Sequence, residues 1–189
     1  MPYEAGGRAD KFGNRYESRW IVKQFLRLLN EEIASVIIES IGEEEEGVDL
    51  WINNNDGSRE CHQCKARNAS KEYWNLSDLA LRGILRKAKK QLDSSNDVTY
   101  FLISAASGLM LNDLSLRARN SNGNSEDFYE FQIEKAGDDV NKAFITFSKY
   151  MGLNIDTIQG RSQAYEYLRR MHIIQYPDDL YAKKSIARG

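Results

Sequence analysis

Residues 47–65, GVDLWINNNDGSRECHQCK, constrain the fold more than any other stretch of this chain. Asn53-Asn54-Asn55-Asp56-Gly57 supplies the residue types that accept the φ > 0 positions of a tight turn, so it reads as a β-hairpin. That turn defines two antiparallel strands, GVDLWINN before it and SRECHQCKAR after it. Side chains alternate along a strand, so Cys61, Gln63 and Lys65 share one face while Glu60, His62 and Cys64 share the other. On the preceding strand Asp49 shares a face with Trp51, opposite Val48, Leu50 and Ile52. The hairpin therefore gathers an acid, an amide and an amine in apolar surroundings. Unpaired polar groups are costly to bury, so this is a poor way to build a core and a good way to build a site.

The flanking pattern extends the hairpin into an α/β unit. A helix is expected from about Arg15 to Leu29, with Tyr16, Trp20, Phe25, Leu26 and Leu29 roughly on one apolar face. ASVIIESIG reads as a strand, and the acidic run Glu43–Glu46 with Gly47 as the turn after it. The first three strands then form an antiparallel meander. Ser77 is the expected N-cap of a helix over LSDLALRGILRKAKKQL, with Asp78 near its positive end. VTYFLISA, a continuous run of β-branched and aromatic residues, reads as a buried strand. The order is αβββαβ over about residues 10–105. The half from 106 to 189 is mainly helical, with helices near 108–119, 126–136, 139–150 and 161–171 and a late strand HIIQYP stopped by Pro177. The expected class is α/β: a mixed central sheet flanked by helices, with a helical C-terminal half, in one domain over 1–189. PDDLYAKKSIARG opens a further helix without a terminating element, as the N-terminal part of a longer protein would.

Composition narrows the function classes. The formal net charge of −2 excludes a uniformly basic nucleic-acid binder but not a locally basic groove. No apolar run reaches the length of a membrane span, and the first 20 residues lack the apolar core of a secretory signal, so the expected location is cytoplasmic, with no membrane partner. Cys61 and Cys64 form a CxxC, yet on one strand positions three apart face opposite sides, which argues against a zinc or redox pair.

Asp49, Gln63 and Lys65 suit phosphodiester hydrolysis, with Glu17 near the start of the first helix able to close over the same spot. A hard divalent cation such as Mg²⁺ takes oxygen ligands and keeps several waters, so one or two carboxylates and an amide oxygen suffice. A nearby lysine stabilises charge that develops on a phosphate. Phosphate contacts are expected from Arg67 and Lys71 in the loop after the Gln63 strand, and from Arg82, Arg86, Lys89 and Lys90 along the helix after Ser77. Plainer roles fit the same residues: Asp49 capping a turn, Lys65 closing a strand end, Glu17 as a solvated helix acid, and the basic helix face simply in water.

GVD, a hairpin and then QxK after a helical start resembles the PD-(D/E)xK nuclease superfamily, in the Mrr-like branch with Gln in place of the second acid. GGRADKFGNRYESRW, EEGVDLW and ECHQCKARN also resemble N-terminal nuclease domains of bacterial anti-phage proteins, including CBASS effectors and Avs-type STAND NTPases. The resemblance implies a restriction-endonuclease-like αβββαβ core. It implies a Mg²⁺- or Mn²⁺-dependent endonuclease that cuts double-stranded DNA with little sequence specificity, oligomerises when activated and is fused to a sensor or ATPase module. It puts Glu17, Asp49 and Gln63 at the metal and Lys65 in catalysis. The same fold would also serve, without cleavage, as a nucleic-acid-binding or interaction module. One metal or two stays open.

Overall fold

The computed structural model describes residues 5–38, 46–66 and 72–177, with side chains from Arg15 onward. Helix α1 (Ala5–Leu29) leads into β1 (Ser35–Ile38), β2 (Leu50–Asn53) and β3 (Arg59–Lys65). Two helices, α2 (Leu76–Leu81) and α3 (Ile84–Ser94), cross over to β4 (Val98–Ser104). Then come α4 (Leu109–Arg119), a short α5 (Ser125–Asp127) continuing into a π-helical segment (Phe128–Glu134), α6 (Asp138–Tyr150), α7 (Ile158–Arg169) and β5 (Met171–Gln175). The described strands form one mixed sheet in the order β1-β2-β3-β4-β5. β1 to β3 are antiparallel, while β3–β4 and β4–β5 are parallel. The meander, the late strand and the α/β class thus stand as read from the sequence.

The sheet separates two cores, and strand alternation sorts residues between them. Trp51, Cys61, Tyr100 and Leu102 join the larger core with Leu79, Ile84, Leu85, Leu114, Phe144, Phe147 and Leu168 of the later helices. Leu50, Ile52, Cys64 and Ile103 join Tyr16, Trp20 and Ile33 in a smaller core under α1. Each large side chain so buried contributes about 1.5–3 kcal/mol.

Local expectations change on two helices. Tyr16, Trp20 and Gln24, four residues apart, are the buried row of α1, whereas Phe25, Leu26 and Leu29 are exposed. At 100° per residue the latter three lie on the opposite side of the helix from that row. The second helix is divided, because Gly83 takes φ +69, a conformation that favours glycine and interrupts helical geometry. Its N-cap is Asn75 rather than Ser77: the Asn75 side chain accepts from the Asp78 amide at 2.7 Å. Leu81 is exposed at the end of α2.

Candidate functional site

The hairpin turn is closed by Asn54, whose amide donates to the Ser58 carbonyl, and by Gly57 at φ +87. Its register pairs Leu50 with His62 and Trp51 with Cys61. One step beyond the last ladder pair, Asp49 takes over the strand's hydrogen bonding. Its amide donates to the His62 carbonyl at 2.8 Å, and its carboxylate Oδ2 accepts from the Cys64 amide at 2.5 Å. The acid is thus clamped to the backbone on both sides of Gln63. A half-buried carboxylate held by a backbone N–H has a fixed direction, which suits a ligand or an orienting group.

Gln63 is 1% exposed, and its Oε1 accepts from the Tyr100 hydroxyl at 2.6 Å. Tyr100 sits two residues before Leu102, the register partner of Gln63 on β4, so both point into the larger core. Burial, with the fields of Cys61, Asp49 and Cys64, pushes the Tyr100 phenol well above its ordinary range and keeps it a hydrogen-bond donor. One lone pair of the Gln63 oxygen remains for another partner. Lys65, half-buried at the end of β3, pairs in register with Ser104. Ser104 is itself fixed, its Oγ accepting from Trp74 Nε1 at 2.9 Å.

Glu17 approaches from the other face. It follows Tyr16 on α1, which packs over Leu50, Cys64 and Ile103. Burial raises the Cys64 thiol far above its usual range, and the charges of Asp49 and Glu17 raise it further while Lys65 opposes them. Asp49, Glu17 and Lys65 therefore all stand close enough to one buried sulfur to act on it. Lys65 and Gln63 have the opposite strand parity from Cys64, so Gln63 lies on the far face of β3 from the sulfur that Glu17 approaches. Two carboxylates and an amide oxygen fit a hard cation that keeps most of its waters, not a closed cage. No cluster of three or more His, Cys, Asp or Glu side chains able to hold a metal occurs among the described residues.

Arg86, Lys89 and Lys90 of the crossover are held in ion pairs. Glu46 receives Arg86 at 3.0 Å and Lys90 at 2.9 Å, tying α3 to the segment just before Asp49. Lys89 pairs with Asp93 at 2.7 Å and donates to the Tyr167 hydroxyl. Arg82 lies 5.4 Å from the Trp74 ring centre. Arg67 and Lys71 lie outside the described residues. Cys61 and Cys64 are free thiols in different cores on opposite faces of the sheet, as strand parity requires.

A buried polar chain under α1 escaped the sequence reading. Trp20 Nε1 donates to His62 Nδ1 at 2.9 Å. An indole N–H only donates, so Nδ1 is unprotonated and the proton sits on Nε2, which donates to Glu60 Oε2 at 2.9 Å. Glu60 is approached by Arg27 at 3.6 Å and accepts from Asn54 at 3.1 Å. Burial pushes the His62 imidazole below its usual range against the pull of Glu60. His62 is therefore a neutral docking point for α1. The signal available beforehand was its parity with Cys64 and Leu50, which places it under the helix.

No protein-family model matches this chain, and no curated protein or solved structure matches it either.

Proposed function

We propose that this chain is a metal-dependent endonuclease domain with a restriction-endonuclease-like core, acting on double-stranded DNA with little sequence specificity. The observation that carries the reading is the Asp49 carboxylate clamped to the Cys64 amide, beside the strand that bears Gln63 and Lys65. In this reading Asp49 and Glu17 hold Mg²⁺ or Mn²⁺, with the open lone pair of Gln63 as a third oxygen. The metal, when bound, polarises a phosphoryl oxygen and lowers the pKa of a coordinated water. Lys65 lies at the strand end, where its ammonium stabilises the charge that builds on the phosphate. Tyr100 keeps the Gln63 oxygen pointed by donating to it. Backbone recognition, oligomerisation on activation and attachment to a sensor or ATPase module in anti-phage defence belong to the same proposal.

A second reading, a binding module without cleavage, is favoured by one feature: the Gln63 oxygen is already engaged by Tyr100 in a buried setting. Supercoiled plasmid incubated with Mg²⁺ separates the two. The nuclease reading expects nicking and linearisation by the parent chain, and a loss of about 10²-fold or more in Asp49→Ala and Lys65→Ala, the scale of removing one transition-state donor. Equal cutting by all three removes the site assignment. Tight plasmid binding with no cutting by any of them supports the second reading.

A further inference from the structure

Helix α1 carries a charge pattern that the site itself does not use. Lys11, Arg15, Arg19, Lys23 and Arg27 recur at every fourth position of the helix. Between Ala5 and Leu29 there are six basic residues and two acids, whereas the rest of the chain holds 20 basic and 26 acidic residues. Residues four apart on a helix are neighbours on its surface, so Arg15, Arg19, Lys23 and Arg27 form a slowly winding row. Arg15 and Lys23 are exposed and Arg19 is half-buried.

The row is anchored beside the candidate site. The Lys23 ammonium lies 5.1 Å from the Trp20 ring centre and 5.6 Å from that of Tyr176, and the Arg19 guanidinium lies 5.7 Å from the Tyr176 ring. Tyr176 in turn accepts from the Tyr16 hydroxyl through its carbonyl and donates its amide to the Ser104 carbonyl. Ser104 is the register partner of Lys65. The cations at 15, 19 and 23 therefore sit at the same end of the sheet as Lys65 and Asp49. Toward the other end of the helix Arg27 is drawn to Glu60 and Glu32, which closes the row there. On α3, Glu46 and Asp93 hold Arg86, Lys90 and Lys89.

We infer that α1, rather than α3, is the surface that tracks the phosphate backbone of a nucleic-acid duplex and leads it to the end of β3. The inference rests on the nuclease reading for its choice of polyanion. Charge complementarity supports it: from Arg15 to Lys23 the helix rises about 12 Å, comparable to about three to four base-pair steps of a duplex. An anionic lipid surface fits less well. Among the described side chains of α1 the exposed apolar residues are Val22, Phe25, Leu26 and Leu29, while the cations at 15 and 19 precede them.

The test is fluorescence anisotropy with a labelled random-sequence DNA duplex in EDTA, across a salt series. Without metal, binding is read independently of cutting, so a failed cleavage assay leaves this result interpretable. The parent chain is expected to bind with a steep salt dependence. Arg15→Glu with Lys23→Glu should weaken binding and reduce the log–log salt slope by about 2, since each lost phosphate contact removes about 0.9. Arg86→Glu with Lys90→Glu should keep the parent slope. If the Glu pair lowers the melting temperature, Arg15→Gln with Lys23→Gln carries the same expectation. A parent-like slope in the α1 variant overturns the inference. So does absence of duplex binding by the parent chain, or its preference for phosphatidylserine vesicles over the duplex.

Discussion

The face of the sheet bearing Trp51, Cys61, Tyr100 and Leu102 meets α2, α3, α4, α6 and α7 in one broad apolar core. The opposite face, bearing Leu50, His62, Cys64 and Ile103, meets α1 through a smaller core crossed by a polar chain from Trp20 through His62 to Glu60. The first contact is non-directional and gains from area. The second depends on hydrogen bonds that accept only one placement of the helix. The difference teaches a division of labour: the large core supplies stability, and the small one positions α1, and with it Glu17, against the end of β3.

The broadest way to break that contrast is to hollow the large core. Phe144 is fully buried and lies edge-on to Phe128. Phe144→Ala should cost about 3–5 kcal/mol, read as a lower urea midpoint with an unchanged m-value. A loss below about 1 kcal/mol would mean that this face is less tightly packed than described.

Under α1 the expected effect is smaller and more specific. Trp20→Phe keeps most of the ring but removes the only donor that His62 Nδ1 has from Trp20, leaving a buried acceptor open. The expected cost is about 1–3 kcal/mol. Hydrogen exchange should show the added opening in α1 while the β3–β4 amides keep their protection. Uniform loss of protection across the sheet would erase the distinction between the two faces.

Acid should act on the same side of the sheet, with the smallest effect at mild pH. His62 is depressed by burial, and His172, whose ring stacks on Phe101 at 4.6 Å, is depressed to about 4 by burial and by Arg119. In each case the unfolded chain takes up a proton before the folded one does. Stability is therefore full above the unfolded histidine value of about 6.5 and falls as pH drops through the folded values. Burial raises Glu60, but its His62 and Asn54 hydrogen bonds bring it below the usual carboxylate range, so it adds a loss of the same sign at lower pH. Urea midpoints measured between pH 7.5 and 5 should fall in the parent chain and fall less in His172→Asn. A midpoint that rises toward pH 5 would contradict the assignment of neutral histidines.

Much of this frame was legible because short-range rules decide it. The Asn-Asn-Asn-Asp-Gly turn sets the hairpin, and strand parity alone puts Gln63 with Lys65 and sends Cys61 and Cys64 to different cores. What stayed hidden depends on contacts distant in sequence. That Tyr100 would hold Gln63 follows from the parallel β3–β4 register across 37 residues, which no local pattern encodes. The row Tyr16, Trp20, Gln24 was obscured because Phe25, Leu26 and Leu29 are more apolar than Gln24, yet Gln24 is the one buried. The basic helix face read after Ser77 took its charges at face value. Glu46 and Asp93 engage three of those cations through contacts that the helix sequence does not announce.

The central claim is that Asp49 and Glu17, brought from opposite sides of the β3 end, serve one cation. Isothermal titration of Mn²⁺ into the parent chain, Asp49→Ala and Glu17→Ala tests it most directly. The account predicts saturable heat in the parent, its loss in Asp49→Ala and clear weakening in Glu17→Ala, with all three melting cooperatively. Saturable binding of equal strength in all three chains, or none in the parent, would contradict it.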